Sequence, residues 1–541
     1  MREGNLVMNL SLGIIVLLVC CSLGWVNAED PYRYFTFQVT YGTRAPLGFN
    51  QKVILVNGQF PAPKIECVTN DNIIVNVINK LDEPFLFTWS GVKQRRTSWQ
   101  DGVLGTNCPI PPNSNWTYKF QVKDQIGTFT YFPSINFQRA SGGFGAFVIQ
   151  PRSVITTPYP IPAAEVDLLI SDWYNTDHKT LRKKLDSGIL LPLPNRLLIN
   201  GQPSLTLTLK KGLTYKLRIS NVGIATSINF RIQGHLMTLV EVEGAHTVQE
   251  VYESLDIHPG QSAAVLVSLN NLPKDYYFVV SSRFTKPTIL TTVGILRYEG
   301  SSIPPSKPLP IGPTYQLHWS MKQARTIRLN LTANAARPNP QGSFHYGNIT
   351  VVRRLILENS LRKIKGALRC AVNSVSYVDP PTPLKLADWF KIDGVFDFKT
   401  FTDVPTSRPA MLGVSVVNIT LHDFVEIVFQ NNENTVQAWH FDGTSFYVVG
   451  YGSGVWSYKM RKRYNLVDGI SRHTVQVYPR SWTAILVSLD NKGMWNLRST
   501  IWWRNYLGQQ LYVRVWNDEK SLYTETDIPP NALKCGKASK Y

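Results

Sequence analysis

Apolar and polar positions alternate in three stretches of this chain, each time in similar surroundings. Asn72-I-I-V-N-V-I-Asn79 leads to Trp89-Ser90-Gly91. Tyr215-K-L-R-I-S-Asn221 leads to Phe230 and Gly234-His235, and Phe424-V-E-I-V-F-Gln430 leads to Trp439 and Gly443. A second pattern follows each of them: a proline turn, an alternating run, a short polar turn and an aromatic run. It starts at Pro112, Pro259 and Pro479 and ends at Tyr131, Tyr277 and Trp495. Period-two alternation bounded by turn residues predicts half-buried antiparallel strands. A pattern repeated three times at long intervals predicts three copies of one unit. The whole reads as all-β, three β-sandwich domains with Greek-key connections.

Proline-rich stretches set the boundaries. The first unit runs over 30–151, and Thr157-P-Y-P-I-P-Ala163 opens the second, 157–300. Residues 301–349 read as a connecting segment that begins with the Pro- and Ser-rich stretch Ser301 to Pro313. The third unit covers 350–517, and 518–541 is a tail. Helix is sparse, with one candidate at Asp177 to Leu185.

Composition adds a compartment. An apolar run from Leu10 to Leu23 follows Arg2 and ends before Val26-Asn27-Ala28, which predicts a cleaved signal peptide over 1–28. No later run is long and apolar enough to span a bilayer, and the polar end Asn531 to Tyr541 lacks the hydrophobic tail of a glycolipid anchor. Sequons at Asn115, Asn330, Asn348 and Asn418 suit a secreted glycoprotein. Four cysteines follow the leader, Cys67, Cys108, Cys370 and Cys535, and they allow three pairings in an oxidising exterior. The formal net charge is +19, with basic clusters at Lys93 to Arg96, Arg182 to Lys184, Arg362 to Lys365 and Lys459 to Arg463. Outside the cell an acidic polysaccharide is a better counter-charge than nucleic acid, although such charge also serves solubility alone.

Candidate chemistry centres on Met494-W-N-L-R-S-T-I-W-W-R-N-Y-L-G-Q-Gln510. With Gly102-V-L-G-T-N-C-P-I-Pro111, Ala140-S-G-G-F-Gly145, Pro338-N-P-Q-Gly342 and Lys391-I-D-G-Val395, it resembles the plant multicopper oxidases over nearly the whole mature chain. The resemblance is to their copper-site-degenerate branch, the ascorbate-oxidase-like, pollen-specific and skewed-growth cell-wall proteins. It implies cupredoxin-like sandwiches.

In active members the segment reads W-x-x-H-C-H-I-x-x-H-x-x-x-G-[ML]. Here Arg498 and Thr500 stand at the flanking histidines, Ser499 at the cysteine, Arg504 at the next histidine and Gln509 at the axial methionine. The H-W-H-G motif has become Thr88-Trp89-Ser90-Gly91, and Phe132 and Ser134 replace the two ligands of W-Y-H-x-H. In place of H-P-W-H-L-H-G stands Gln437-Ala438-Trp439-His440-Phe441-Asp442-Gly443, so only His440 survives, at a type 2 position. A blue copper centre needs a thiolate, two imidazoles and a weak axial ligand. Arginine never deprotonates and cannot donate a lone pair to a cation. His440 alone reads as a hydrogen-bonded buried histidine. None of the other histidines stands at an H-x-H spacing, and no nucleophile elbow, P-loop or zinc-type cysteine cluster occurs.

The expected function is that of a secreted glycoprotein with no catalytic residues, no metal ligands and no cofactor, acting in the plant cell wall in cell expansion or pollen-tube growth. Acidic wall polysaccharide is its candidate partner. The rival is an L-ascorbate-oxidase-like oxidoreductase that keeps some copper. The resemblance further implies a Cys108–Cys535 disulfide, with Cys67 and Cys370 unpaired and buried. It also suggests that Arg498 pairs with Asp442 in the old trinuclear pocket, that Thr88, Ser90, Ser134 and Thr500 add hydrogen bonds, and that Phe132 fills the volume of an imidazole.

Overall fold

The computed structural model describes residues 30–333 and 345–541. The signal-peptide reading and the stretch Pro338 to Gly342 lie outside the described residues. Two sheets form each unit. The first stacks the sheet Gln51–Val56, Tyr32–Arg44, Asn72–Asn79, Asn115–Gln121 on the sheet Ile65–Val68, Gly145–Gln150, Gly127–Pro133, Phe87–Ser90. Seven- and five-stranded sheets build the second unit, and eight- and five-stranded sheets the third.

The alternating stretches are the central strands, and their register repeats. Asn72–Asn79 lies parallel to Tyr32–Arg44 and antiparallel to Asn115–Gln121. Thr214–Asn221 sits in the same way between Glu165–Trp173 and Ser262–Ser268, and Phe424–Asn431 between Arg353–Ile364 and Ser481–Ser488. The alternation therefore predicted the strands, but not that one neighbour of each runs parallel. Each central strand ends in a buried asparagine that ties off the turn. Asn79 Oδ1 accepts from Leu81 N, Asn221 Oδ1 from Gly223 N and Asn431 Oδ1 from Glu433 N. Their amides donate to Ile110, Ile257 and Tyr478 carbonyls across the sandwich. The third repeat thus closes at Asn431, one residue beyond the Gln430 expected from the pattern.

Only the first central strand is half-buried. Thr214–Asn221 is buried on both faces after its first residue, and Phe424–Asn431 throughout. The polar face of the second, Lys216 and Arg218, is covered by the first unit and its own neighbours. Arg218 donates to Thr128 Oγ1 at 2.7 Å and pairs with Glu165 and Glu241. Glu426 plays the corresponding part in the third strand, paired with Arg354 and Arg461. A period-two polar face reads as solvated only when nothing else packs there, and here other elements do.

The helix at Asp177 to Leu185 forms as His178–Asp186, with Asp177 capping Thr180 N at 2.8 Å. The connecting segment is not merely a linker: it contains the helix Leu317–Thr326, whose Met321 and Ala324 join the apolar core shared by the second and third units. After the strand Gly493–Ser499 the chain forms a short helix, Trp502–Tyr506, rather than a plain turn. Trp502 packs with Phe132, Phe144, Trp173 and Cys370 where the three units meet.

Candidate functional site

The strand Gln437–Phe441 runs between Gly493–Ser499 and Thr474–Val477, with His440 opposite both Arg498 and Thr474. Trp439 and Phe441 point into the core, as do Trp495 and Leu497. Alternation then places His440, Asp442, Asn496 and Arg498 together on the opposite face. There Arg498 Nη1 donates to Asp442 Oδ2 in a fully buried ion pair, and to Asn496 Oδ1 at 3.1 Å. His440 Nε2 lies 2.8 Å from Asp442 Oδ1, and Nδ1 2.8 Å from Thr474 Oγ1. A carboxylate only accepts, so Nε2 carries the proton. Burial would raise the Asp442 carboxyl, but Arg498 and His440 overcome it and hold the acid far below its ordinary value.

Three groups here have no signature in the motifs. His473 meets His440 edge to face, with the two Nδ1 atoms 3.3 Å apart. Burial lowers both imidazoles, and His473 falls to about 4. Glu243 from the second unit accepts from Arg472 and from the backbone N–H groups of His473 and Thr474. Asp101 lies beside Asp442, and burial, then the Asp442 charge, push its carboxyl well above the usual range. These contacts are long-range pairings that no sequence spacing encodes. An unmatched arginine and aspartate in the motifs signalled only that buried partners must exist.

The hydroxyl residues depart from expectation. Ser134 Oγ donates to Gly102 O at 2.6 Å instead of joining the ion pair. Thr88 Oγ1 and Thr500 Oγ1 are buried with no hydrogen-bond partner among the described residues. Ser90 is buried opposite Thr130. Asn496 and His440 provide the hydrogen bonds instead. Phe132 does fill space, under the Arg139 guanidinium at 3.7 Å and against Trp502.

Three of the other four positions, Gln437, Arg504 and Gln509, form a second closed network with Glu433. Gln509 Nε2 donates to Gln437 Oε1 at 3.0 Å, and Arg504 Nη1 to Gln509 Oε1 at 3.2 Å. Arg504 Nη2 pairs with Glu433, a turn residue that the motif comparison passed over. Ser499 Oγ accepts from Ile501 N at 3.2 Å. Arg504 and Trp503 line a cleft of about 920 Å³ between the second and third units.

Copper is the group that the resemblance implies at these twelve positions. They provide one imidazole, one carboxylate and two guanidiniums, and no thiolate. Both nitrogens of His440 are engaged, and Arg498 and Arg504 place fixed positive charge where a cation would sit. This donor set does not fit a copper centre.

Elsewhere, Cys108 and Cys535 form a disulfide between the first unit and the tail. Cys67 and Cys370 are free and buried, and burial pushes each thiol up to about 12. Asn115, Asn348 and Asn418 are exposed, whereas Asn330 is half-buried, with Oδ1 accepting from the Thr332 and Ala333 N–H groups.

Comparison with known proteins agrees with this architecture. Three multicopper oxidase family models match residues 38–154, 165–301 and 381–521. An L-ascorbate oxidase homolog of Brassica napus is 50% identical over 97% of each chain. The monocopper oxidase-like protein SKU5 of Arabidopsis thaliana is 48% identical over 97% of this chain and 93% of its own. Among solved structures, Fet3p, a multicopper oxidase that functions in iron import, superposes with a TM-score of 0.77 at 22% identity, over 90% of both chains. On its three matched domains and these full-length relatives, the chain belongs to the multicopper oxidase family.

Proposed function

We propose that this protein is a secreted, non-enzymatic binding glycoprotein of the plant cell wall, in which the oxidase scaffold serves as a rigid support. The observation that carries the reading is the buried Arg498–Asp442 pair, with His440 bonded to the same carboxylate. An ion pair and its hydrogen bonds fill the face where an oxidase would gather imidazoles. A leader, four sequons and the plant relatives support secretion into the wall. Among the described residues no helix is long and apolar enough to cross a membrane. The net charge of +19 favours an acidic wall polymer as partner.

Residual copper chemistry is the second reading, favoured by the names of the relatives and by the His440–His473 imidazole pair. Metal analysis with a visible spectrum separates the two. The binding reading expects colourless protein, far below one copper per chain after dialysis, and no ascorbate-dependent oxygen uptake above a blank. Stoichiometric copper with a blue absorption band overturns it. For the partner, retention on polygalacturonate should weaken steeply with salt, since exposed charges are screened over about 8 Å at physiological ionic strength.

A further inference from the structure

A separate cleft of about 610 Å³ opens at the edge of the eight-stranded sheet of the third unit. One wall is the helix Leu317–Thr326, through His318, Met321 and Arg325. The 3-10 helix Tyr458–Arg463 forms the other, through Met460 and Arg463. The strand Phe446–Ser453 runs along the floor. The short strand Ser471–Arg472 pairs with Phe446 and Tyr447 of its outer edge, Ile470 and Asn465 bond Val448 and Val449, and Gly450 to Ser453 line the cleft beyond them.

The lining is cationic and has no acid. Its charged members are Arg325 and Arg463, with His318 beside them, and no Asp or Glu contributes. Arg325 Nη2 donates to Tyr451 O at 2.7 Å and meets no carboxylate among the described residues. Arg463 is exposed, with no ion pair among the described residues. Lys459 and Lys462, on the same 3-10 helix, extend the positive rim outward.

An indole closes the cleft from below. Trp482 is 3% exposed, lines the cleft, and its Nε1–H has no hydrogen-bond partner among the described residues. Two glycines let the indole pack directly against the strand Phe446–Ser453. A Cβ at Gly452 would come within 2.3 Å of the ring, and one at Gly450 within 3.1 Å. Neither glycine has a left-handed backbone, so the indole rather than the backbone excludes a side chain there.

We propose that this cleft binds a short stretch of acidic polysaccharide, about two uronate rings long. Sugar carboxylates meet Arg325 and Arg463, and apolar C–H faces lie on Met321, Met460 and Ile470. A bare inorganic anion would satisfy the guanidiniums and leave the apolar floor wet. The assignment rests on the proposed acidic wall polymer and gives it a place on the molecule.

Titration calorimetry with a galacturonate trimer and its methyl ester, at low salt, tests it. The acid should bind and the ester should not. Arg463→Glu should weaken binding on the order of tenfold. Lys363→Glu, in a different basic cluster, should leave it intact. If the wild type binds trimer and polygalacturonate and Arg463→Glu binds equally well, the cleft assignment fails and the polymer reading stands. If the wild type binds neither, both fail. Equal binding of the ester also overturns carboxylate recognition here.

Discussion

Arg498, on the strand Gly493–Ser499, and Asp442, in the turn just past the adjacent strand Gln437–Phe441, pair with both side chains only 2% exposed, within hydrogen-bond reach of His440 and Asn496. Such a pair need not outperform an apolar filling of the same volume, but breaking it strands a charge in the interior. Asp442→Ala should therefore cost roughly 3–5 kcal/mol of stability. Adding Arg498→Met should restore part of the loss, because it removes the stranded guanidinium. Denaturant melts of the two single variants and the double check this. A double variant no more stable than Asp442→Ala would show that the pairing is not what holds the face together.

Asp101 should dominate the pH behaviour of this site. No N–H or O–H donor among the described residues reaches its oxygens, and burial followed by the Asp442 charge raises its pKa well above the ordinary 3.8. Its pKa is higher in the fold than in the unfolded chain, so folding takes up a proton at pH values between the two. The penalty is absent below the unfolded value and grows as pH rises toward the folded one. Asp101→Asn keeps a neutral donor toward Asp442 and removes the proton uptake. Its melting temperature at pH 7 should exceed that of the wild type, and the gap should close near pH 4. A variant less stable at pH 7 would contradict this.

How much of this was legible depended on range. Alternation located the central strands, and a ligand motif with its ligands replaced located twelve positions of the old centre. What the alternation missed lay between units. Lys216 and Arg218 read as a solvated face because nothing in their own strand announces that Thr128 covers them. His473, Glu243 and Asp101 reach the Asp442 side from other strands and loops, and no motif contains them. Glu433 was within reach of argument, since an arginine at 504 in a buried segment demands an acceptor. The hydroxyls of Thr88 and Thr500 were expected to bond because they could, but Asn496 and His440 stand closer to the charge.

The disulfide joins residues 427 apart in sequence. In the chain-entropy model, a closed loop of that length favours the fold by about 6 kcal/mol. Cys535→Ser should lower stability by several kcal/mol and free the tail, whose Asn531 carbonyl accepts from Trp116 Nε1 and whose Glu525 pairs with Lys385. Non-reducing peptide maps should contain Cys108 linked to Cys535. Alkylation should reach Cys67 and Cys370 only after denaturation. A Cys67 link to any other cysteine would defeat the assignment.

Glu241 joins the first unit to the second and should set the acid limit of the fold. Thr128 donates to it from N at 2.9 Å and Oγ1 at 3.1 Å, and Lys216 and Arg218 flank its other oxygen. Burial alone would raise this carboxyl, but Lys216 and then Arg218 overcome it and hold it at about 2. A depressed carboxyl contributes stability that is full above its ordinary value of 4.5 and drains away as pH falls from there toward 2. Wild type should therefore lose melting temperature steadily over that window. Glu241→Gln should be less stable at pH 7, by roughly 3–5 kcal/mol, because Lys216 and Arg218 keep only Glu165 as a counter-charge. Other carboxylates titrate in the same range, so the decisive quantity is the difference between the two proteins. That difference should be largest at neutral pH and shrink between pH 4.5 and 2, as wild type gives up what the variant never had. A difference that stays constant across the window would mean that the Glu241 charge does not support the joint.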